Sequence, residues 1–269
     1  RTVVIGQHQN PYAECNVALL EGEGGHLMRR KTGGGAVFHD DGNLNFSFIA
    51  PAAFYSQERQ FSVLQQAVAH YGLRTEVSGR NDVLCYDHEG TPRKFSGNAF
   101  AKGSQMRLHH GTILIKSNMD DLQRYLLVKP AKLQKHGVAS VKSRVVNLSE
   151  LADVTADNIV PHLIEAFEQV YGQRAERVDF HEVAGRTEVL GIRQEFESDE
   201  WRFARWRNFK AQRTGQFPWG MVEMSLDIDE EHHTIRHIAI ATDSLNTELA
   251  PLAERLLTEA STLTPPPLP

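Results

Sequence analysis

From Thr2 to about Val146 the chain alternates short β-rich runs with turns of Gly, Asn and Asp, and a few helical stripes break the alternation. Thr2–Ile5, His26–Arg30, Asn43–Ile49, Val83–Asp87, Arg93–Ala101 and Arg107–Lys116 have the length and residue types of strands. Helices are predicted where apolar residues recur every three or four positions. Phe61, Leu64, Val68 and Tyr71 do so within Gln60–Tyr71, which Gly72 closes; Met119–Leu127 repeats the pattern; Ile159, Leu163, Ile164, Phe167 and Val170 do so within Asp157–Tyr171, which Gly172 closes. Strands and helices interleaved in this way fit a mixed α/β domain in which helices cover sheet.

The punctuation changes after residue 182, and we expect a second, smaller unit over 183–269. Trp201, Phe203, Trp206 and Phe209 interleave there with Arg202, Arg205, Arg207 and Lys210. Mixed aromatics and arginines can form a nucleic-acid surface, but the whole chain has 29 basic against 34 acidic residues, a net charge of −5. The expectation is therefore a helix that packs its aromatics and leaves its arginines solvated, with no nucleic-acid partner. Met221–Asp229 and Thr234–Ala241 read as a hairpin around Glu230-Glu231-His232-His233, and Glu248–Ala260 as a closing helix. The tail Pro265-Pro266-Pro267-Leu268-Pro269 suits either a frayed end or a partner-binding polyproline segment.

At 269 residues and 41% hydrophobic the chain can bury a sizeable core, and no run approaches the eighteen or so apolar residues of a membrane span, so no membrane partner is expected. Two cysteines, Cys15 and Cys85, are too few for a disulfide framework; a reducing, cytoplasmic setting is expected. Arg1 stands directly before a strand already under way, which suggests residues upstream of it.

Chemistry concentrates in four segments. In Arg29-Arg30-Lys31-Thr32-Gly33-Gly34-Gly35-Ala36-Val37-Phe38-His39-Asp40 three cations lead into three glycines, whose backbone N–H groups can turn toward an anion at close range. It has neither Walker A nor Rossmann spacing, and taken alone it reads rather as a flexible hairpin loop with solvated arginines. Ser78-Gly79-Arg80-Asn81-Asp82 offers groups for a base edge or for Mg²⁺ on a phosphate, yet the same residues form ordinary turns. In Arg93-Lys94-Phe95-Ser96-Gly97-Asn98-Ala99 a period of two puts Lys94, Ser96 and Asn98 on one face and Phe95, Gly97 and Ala99 on the other. That is a clamp for a carboxylate or phosphate, or an edge strand with a solvated lysine. Lys135–Leu148 mixes small, basic and hydroxyl residues, as a lid over a nucleotide does and as a long surface connection also does.

The 13 histidines raise the question of a metal. No His-x-His, His-Glu-x-x-His or Cys-x-x-Cys occurs, and the adjacent His109 and His110 would point to opposite faces of a strand, so no structural zinc site is expected. His39 and His110 flank the glycine-bearing segments and fit either a substrate contact or a structural hydrogen bond.

Taken in order, these segments resemble the lipoate–protein ligase A family. The resemblance runs through Val3-Val4-Ile5-Gly6, Gln9-Asn10-Pro11, Glu14-Cys15-Asn16, the Arg29–Asp40 run, Gly42-Asn43-Leu44-Asn45-Phe46, Gly79–Asp82, Arg93–Ala99, His109-His110-Gly111-Thr112 and Ser140–Leu148. It returns at Trp219-Gly220 and Thr242-Asp243-Ser244-Leu245-Asn246. It implies an α+β fold: a mixed-sheet catalytic domain of the biotin/lipoate ligase type and a small α+β accessory domain. It implies two steps, lipoate plus ATP giving lipoyl-AMP and pyrophosphate, then acyl transfer to a lysine of a lipoyl carrier.

Lys94 is the catalytic cation that the resemblance implies, bridging carboxylate and α-phosphate. Arg30, Thr32, Gly33, Gly34, Gly35, Val37, Phe38, His39, Ser96, Gly97, Ala99, His110 and Gly111 would hold the acyl-adenylate. Asn81, Asp82, Ser140, Val141, Lys142 and Arg144 would hold ATP, with Asp82 also a ligand to Mg²⁺. The implied acceptors are the apo lipoyl domains of 2-oxoacid dehydrogenase complexes and the glycine cleavage H protein. The family's upstream strand, whose tryptophan lines the lipoate pocket, has no counterpart in this sequence. Rival readings are an octanoyl or lipoyl transferase working without ATP, either from an acyl carrier, which in this fold uses a reactive cysteine that neither Cys15 nor Cys85 resembles, or from preformed lipoyl-AMP, and a silent adenylate-binding paralogue, which would be expected to lose Lys94 or Asn81-Asp82.

Overall fold

The computed structural model describes residues 1–79, 81–127, 145–203, 211–229 and 234–261. The chain opens with β1 (Thr2–Ile5), the short helices α1 (Pro11–Glu14) and α2 (Val17–Gly22), β2 (His26–Arg29) and β3 (Val37–His39). β1 lies between β2, to which it is parallel, and β3, to which it is antiparallel. There follow β4 (Asn43–Pro51), α3 (Gln57–Ala69), β5 (Thr75–Ser78), β6 (Asp82–Tyr86), β7 (Pro92–Lys102) and β8 (Met106–Leu114). These strands form an antiparallel sheet in the order β4-β8-β7-β6-β5. After α4 (Met119–Tyr125) and a 3₁₀ turn at Leu148–Glu150, α5 (Ala156–Tyr171) packs beside α3.

Helix α3 starts where the Ser56 side chain accepts from the Arg59 N–H, and α5 starts at a capping box between Thr155 and Asn158. Their apolar stripes, with Phe61, Leu64 and Val68 from α3 and Ile159 from α5, close one face of the five-stranded sheet over Val83, Cys85, Phe95 and Ile113. A second core joins Val3, Ile5, Leu27 and Phe38 of the small sheet to Leu20 of α2 and to Leu122 and Tyr125 of α4. The free face of the large sheet, the glycine loop after β2 and the small sheet then enclose the site described below.

The connector holds α6 (Phe180–Ala184), α7 (Thr187–Glu197) and α8 (Asp199–Phe203). A three-stranded antiparallel sheet β11-β10-β9 with β9 (Ala211–Phe217), β10 (Gly220–Asp229) and β11 (Thr234–Thr242), and helix α9 (Leu249–Ser261) against β11, complete the chain. Among the described residues no helix is long and apolar enough to cross a membrane.

Most sequence expectations match within two or three residues; β3, β5, β9 and the helices α1, α2, α6 and α7 are additions to them. β3 is only three residues long, and β5 reads Thr-Glu-Val-Ser, too polar to stand out from a loop. The aromatic and arginine stretch also differs. Its helix is short, and Arg202 is not solvated but donates Nε to the Leu27 carbonyl at 2.8 Å, while Trp201 Nε1 donates to the Arg29 carbonyl at 2.7 Å. Arg205, Trp206, Arg207, Phe209, Lys210, Glu230–His233, Arg80, Lys135–Arg144 and the proline tail lie outside the described residues.

One local feature redirects the site. Along β6 and β7, Val83 pairs with Ser96 but Leu84 pairs with Lys94, so Phe95 is an extra residue, a β-bulge. A one-residue insertion reverses the alternation beyond it. Phe95 and Ser96 both turn into the core, each with no exposed surface. Lys94 therefore shares its face with Gly97 and Ala99, and the expected grouping of Lys94 with Ser96 and Asn98 is corrected.

Candidate active site

A cavity of about 320 Å³ lies over the free face of β4, β8 and β7 and under the glycine loop. Arg30, Gly34, Gly35, Val37 and His39 line it from the loop and β3, and Lys94, Gly97, Ala99, His110 and Gly111 line it from the sheet; Asn81 stands at the turn before β6. These expected residues, drawn from four separate segments, are thus brought together. The sheet also supplies Asn45, Ser47 and Thr112, which were not singled out. Asn45 and Ser47 were within reach of pattern reading, since they alternate along β4 with the inward Phe46 and Phe48.

The three cations before the glycines have three different fates. Arg29 is buried and donates to the carbonyls of Gly6, Gln7, Gln9, Trp201 and Arg202, which leaves it no role toward an anion. Lys31 pairs with Glu195 at 2.8 Å and lies over the rings of Phe196 and Trp201. Arg30 alone turns to the cavity. Its guanidinium holds the loop from inside, donating to the carbonyls of Gly33 at 2.7 Å, Gly35 at 2.8 Å and Val4 at 3.1 Å and to Thr32 Oγ1 at 3.1 Å.

Thr32 Oγ1 in turn meets His110 Nε2 at 2.7 Å, which ties the loop to β8. Gly34 sits at φ 94°, a conformation that side chains disfavour. Gly33 abuts the carboxy-terminal sheet's following turn, where an added Cβ would lie 2.1 Å from the Ser244 carbonyl oxygen.

Lys94 Nζ is 2.6 Å from Asp82 Oδ1, and an added Cβ at Gly97 would lie 2.9 Å from that ammonium. Gly97 is thus the gap through which the lysine reaches the cavity. Five expected residues do not line it, Asp82 among them, which meets the cavity only through its pairing with Lys94. Thr32 is buried behind the loop, Gly33 faces Ser244, Phe38 packs on Tyr125 in the core, and Ser96 is in the core because of the bulge. Ser140, Val141, Lys142 and Arg144 lie outside the described residues. The chain re-enters at Val145, which bridges Lys94, and the Val146 N–H donates to the Lys94 carbonyl at 3.0 Å.

The site's histidines are neutral at ordinary pH. Burial, and then the neighbouring Arg30 charge, push His39 and His110 down to about 4; burial and then His110 push His109, in the core, down to about 3. Unfolding would let all three bind protons near their ordinary value of about 6.5. The unfolded state therefore binds more protons as the pH falls from about 6.5 to 4, and stability drops over that window. The slope should reach up to about 4 kcal/mol per pH unit from three protons. Urea midpoints measured from pH 7 to 4.5 should fall accordingly, and a flat profile would show that these imidazoles are not shifted.

Burial also raises both thiols, Cys15 to about 12 and Cys85 to about 11, so neither is a thiolate nucleophile. Among the described residues no three His, Cys, Asp or Glu side chains converge as a metal would require.

The family model of the lipoyl protein ligase A/B catalytic domain matches residues 1–168. The chain is similar to lipoate-protein ligase A of Psychrobacter cryohalolentis, 36% identical over 266 residues, 96% of this chain and 76% of that protein. Among solved structures it is similar to Plasmodium falciparum LipL1 in complex with lipoate, with a TM-score of 0.78 and 28% identity over 95% of this chain and 74% of that one. It is also similar to a bipartite lipoate protein ligase of Thermoplasma acidophilum described with its E2 lipoyl domain, with a TM-score of 0.63 and 26% identity over 78% of this chain and 83% of that one.

Proposed function

The chain belongs to the lipoyl protein ligase family, and from that premise we propose how its cavity activates lipoate with ATP and passes the lipoyl group to a lipoyl domain. A carboxylate is a poor acyl donor until one oxygen carries a good leaving group. In the first step a lipoate carboxylate oxygen bonds to the α-phosphorus of ATP and pyrophosphate leaves. In the second a neutral lysine amine of the carrier bonds to the acyl carbon, AMP leaves with the bonding electrons, and the amine loses a proton.

The observation that carries this reading is the placement of Lys94. Its ammonium reaches the cavity past Gly97, between the glycine loop and the Asn81-Asp82 turn. There it can offset the repulsion of carboxylate and α-phosphate and the charge that grows as they join. Gly35 N–H and Arg30 line the acyl-adenylate side, and Asn81 the nucleotide side. Ser140, Val141, Lys142 and Arg144, which lie outside the described residues, are assigned to the adenylate-covering segment on the family resemblance alone.

Asp82 offers one carboxylate, which suits Mg²⁺ carried in by phosphates since that ion keeps water and substrate oxygens as its other ligands. When bound, Mg²⁺ supplies charge neutralisation on the leaving pyrophosphate. The acceptor is a lipoyl domain; those of 2-oxoacid dehydrogenases and the glycine cleavage H protein are the carriers we propose. Incubation with ATP, Mg²⁺, lipoate and an apo lipoyl domain should raise the carrier's mass by one lipoyl group. Loss of the gain without ATP identifies a ligase; no gain from lipoate and ATP but a gain from preformed lipoyl-AMP identifies a transferase, with AMP as the leaving group, and no gain from either donor a silent paralogue.

We assign catalysis to residues 1–182 and an accessory role to 183–269; the connector is docked on β2 by Trp201 and Arg202, and the β9–β11 sheet with its following turn meets the first part through separate polar contacts. The Gly34 N–H donates to the Ser244 carbonyl at 3.0 Å, the Thr242 N–H to the His8 carbonyl at 3.1 Å, and Asn10 to Glu223 at 3.1 Å. An N–H committed to Ser244 cannot also hold an adenylate, so ligand and Ser244 compete for the loop. Polar contacts of this kind between parts of one chain leave relative motion the default, here of the β9–β11 sheet beyond its docked connector. Lipoyl-AMP should therefore change the small-angle scattering profile, and superimposable profiles with and without it would count against the movement.

A further inference from the structure

From the cavity floor, where Asn98 is one of the lining residues, a chain of polar side chains runs back into an apolar core. Gln60 of α3 and His109 of β8 have no exposed surface, and Asn98 of β7 is 4% exposed. Gln60 Oε1 is 3.0 Å from His109 Nδ1, and His109 Nε2 is 2.9 Å from Asn98 Oδ1. Asn98 Nδ2 donates to the Asn81 carbonyl at 3.0 Å and to Ser96 Oγ at 3.2 Å. The Asn98 backbone N–H reaches the same Asn81 carbonyl at 2.9 Å, and Asn81 Nδ2 donates back to the Asn98 carbonyl at 2.8 Å. The rings of Phe46, Phe48, Phe61 and Phe100 surround the imidazole, with centroids 4.6–5.7 Å away.

Burying so many polar groups among phenylalanines costs stability unless every one is paired, so an apolar filling would be the simpler core. The pairing also has a direction. Asn98 has committed its amide to Asn81 and Ser96, so only its carbonyl oxygen faces His109, and the imidazole must carry its proton on Nε2. Nδ1 is then an acceptor. Gln60 Nε2, otherwise a buried donor without a partner, satisfies it once the amide is turned over. The imidazole is held neutral by burial, as its depressed pKa indicates, so this tautomer persists throughout the working pH range.

We propose that His109 is a positioning residue: through its Nε2–H it fixes the Asn98 amide, which in turn pins the Asn81 turn where the nucleotide binds. The inference rests on the nucleotide-facing role given to Asn81 above. His109 touches no substrate; its neighbour His110, one residue along the strand, faces the cavity instead.

Two polar substitutions of similar size separate the two ends of the ring. In His109→Gln the side-chain amide extends to the place of Nε2 and can still donate to Asn98. In His109→Asn it stops near the place of Nδ1 and reaches only Gln60. The measurement is the KM for ATP and for lipoate of the full chain with an apo lipoyl domain as acceptor. His109→Asn is expected to raise the KM for ATP roughly tenfold, the worth of one buried hydrogen bond, with the KM for lipoate within about twofold of wild type. His109→Gln should leave both within about twofold. A purely structural histidine would lower the amount of active enzyme, and with it the maximal rate, at unchanged KM.

Equal ATP constants for the two variants, or ATP and lipoate constants rising together, would overturn the proposal. Should both variants misfold, Asn98→Asp keeps the acceptor for Nε2–H and removes the donor to Asn81. It should then show the same selective rise, and an ATP constant within about twofold of wild type overturns the relay. Wild-type protein that acylates no carrier in the same assay would overturn the ligase reading itself; an active wild type with indifferent variants removes only the relay.

Discussion

Lys94→Leu is expected to lower both lipoyl-AMP formation and carrier acylation by a hundredfold to a thousandfold while the protein melts close to the wild-type temperature. The rate effect is that of removing one fixed charge from the place where negative charge gathers, about 3–4 kcal/mol of transition-state stabilisation. The small thermal effect follows from exposure. The Lys94 and Asp82 side chains keep 33% and 38% of their surface in water, and an ion pair so placed contributes about 0–1 kcal/mol. Leucine keeps the apolar base of the side chain and removes only the end, Cε and Nζ, that crosses Gly97. Pyrophosphate release and carrier mass measure the two steps separately, and near wild-type turnover in both would leave Lys94 as a surface charge on a strand.

Arg30→Ala should have the second largest effect, with a different signature. The sequence suggests a cation that supplies charge directly to an anion. The geometry adds that the guanidinium is the scaffold of the loop, with three carbonyls and one hydroxyl as its acceptors. Each hydrogen bond to a charged group is worth about 1.5–3 kcal/mol, so the alanine variant should melt several degrees lower, yet still fold on its two intact cores. Affinity for lipoyl-AMP or a stable analogue, measured by calorimetry, should fall about a hundredfold because the Gly33–Gly35 backbone is no longer held in place. Removing the charge should also raise the pKa of both His39 and His110, which Arg30 holds down. Unchanged calorimetric affinity on folded protein would return the segment to an ordinary loop.

Periodicity was enough to place α3, α5 and most strands, because the apolar stripes that define them are the same stripes that form the core around Leu64, Val83 and Ile159. Alternation also separated His109 from His110. It failed at Phe95, because a bulge adds one residue without changing composition and is specified by the partner strand β6 rather than by β7 itself. The fates of Arg29, Arg30 and Lys31 were unreadable for a related reason. The partner of Lys31, and two of the five carbonyls that hold Arg29, lie more than 160 residues away in α7 and α8, and no local pattern reports them. Gln60 went unnoticed because a single polar residue on a helix stripe carries no sign that a histidine on a distant strand will face it.

The docking of Trp201 and Arg202 on β2 has a consequence for biosynthesis. β2 is an outer strand, and its carbonyls at Leu27 and Arg29 would otherwise template pairing with another chain. Two side chains occupy those carbonyls, and a side chain cannot continue a ladder, so the sheet ends there. These caps are synthesised some 172 residues after the strand they cover. At roughly 5–20 residues per second the ribosome leaves that edge open for about ten seconds or more, after the strands of the amino-terminal part have emerged. The nascent chain is thus at its stickiest just before its connector appears, and the order of translation, as much as the finished fold, decides whether β2 meets Trp201 or a neighbour.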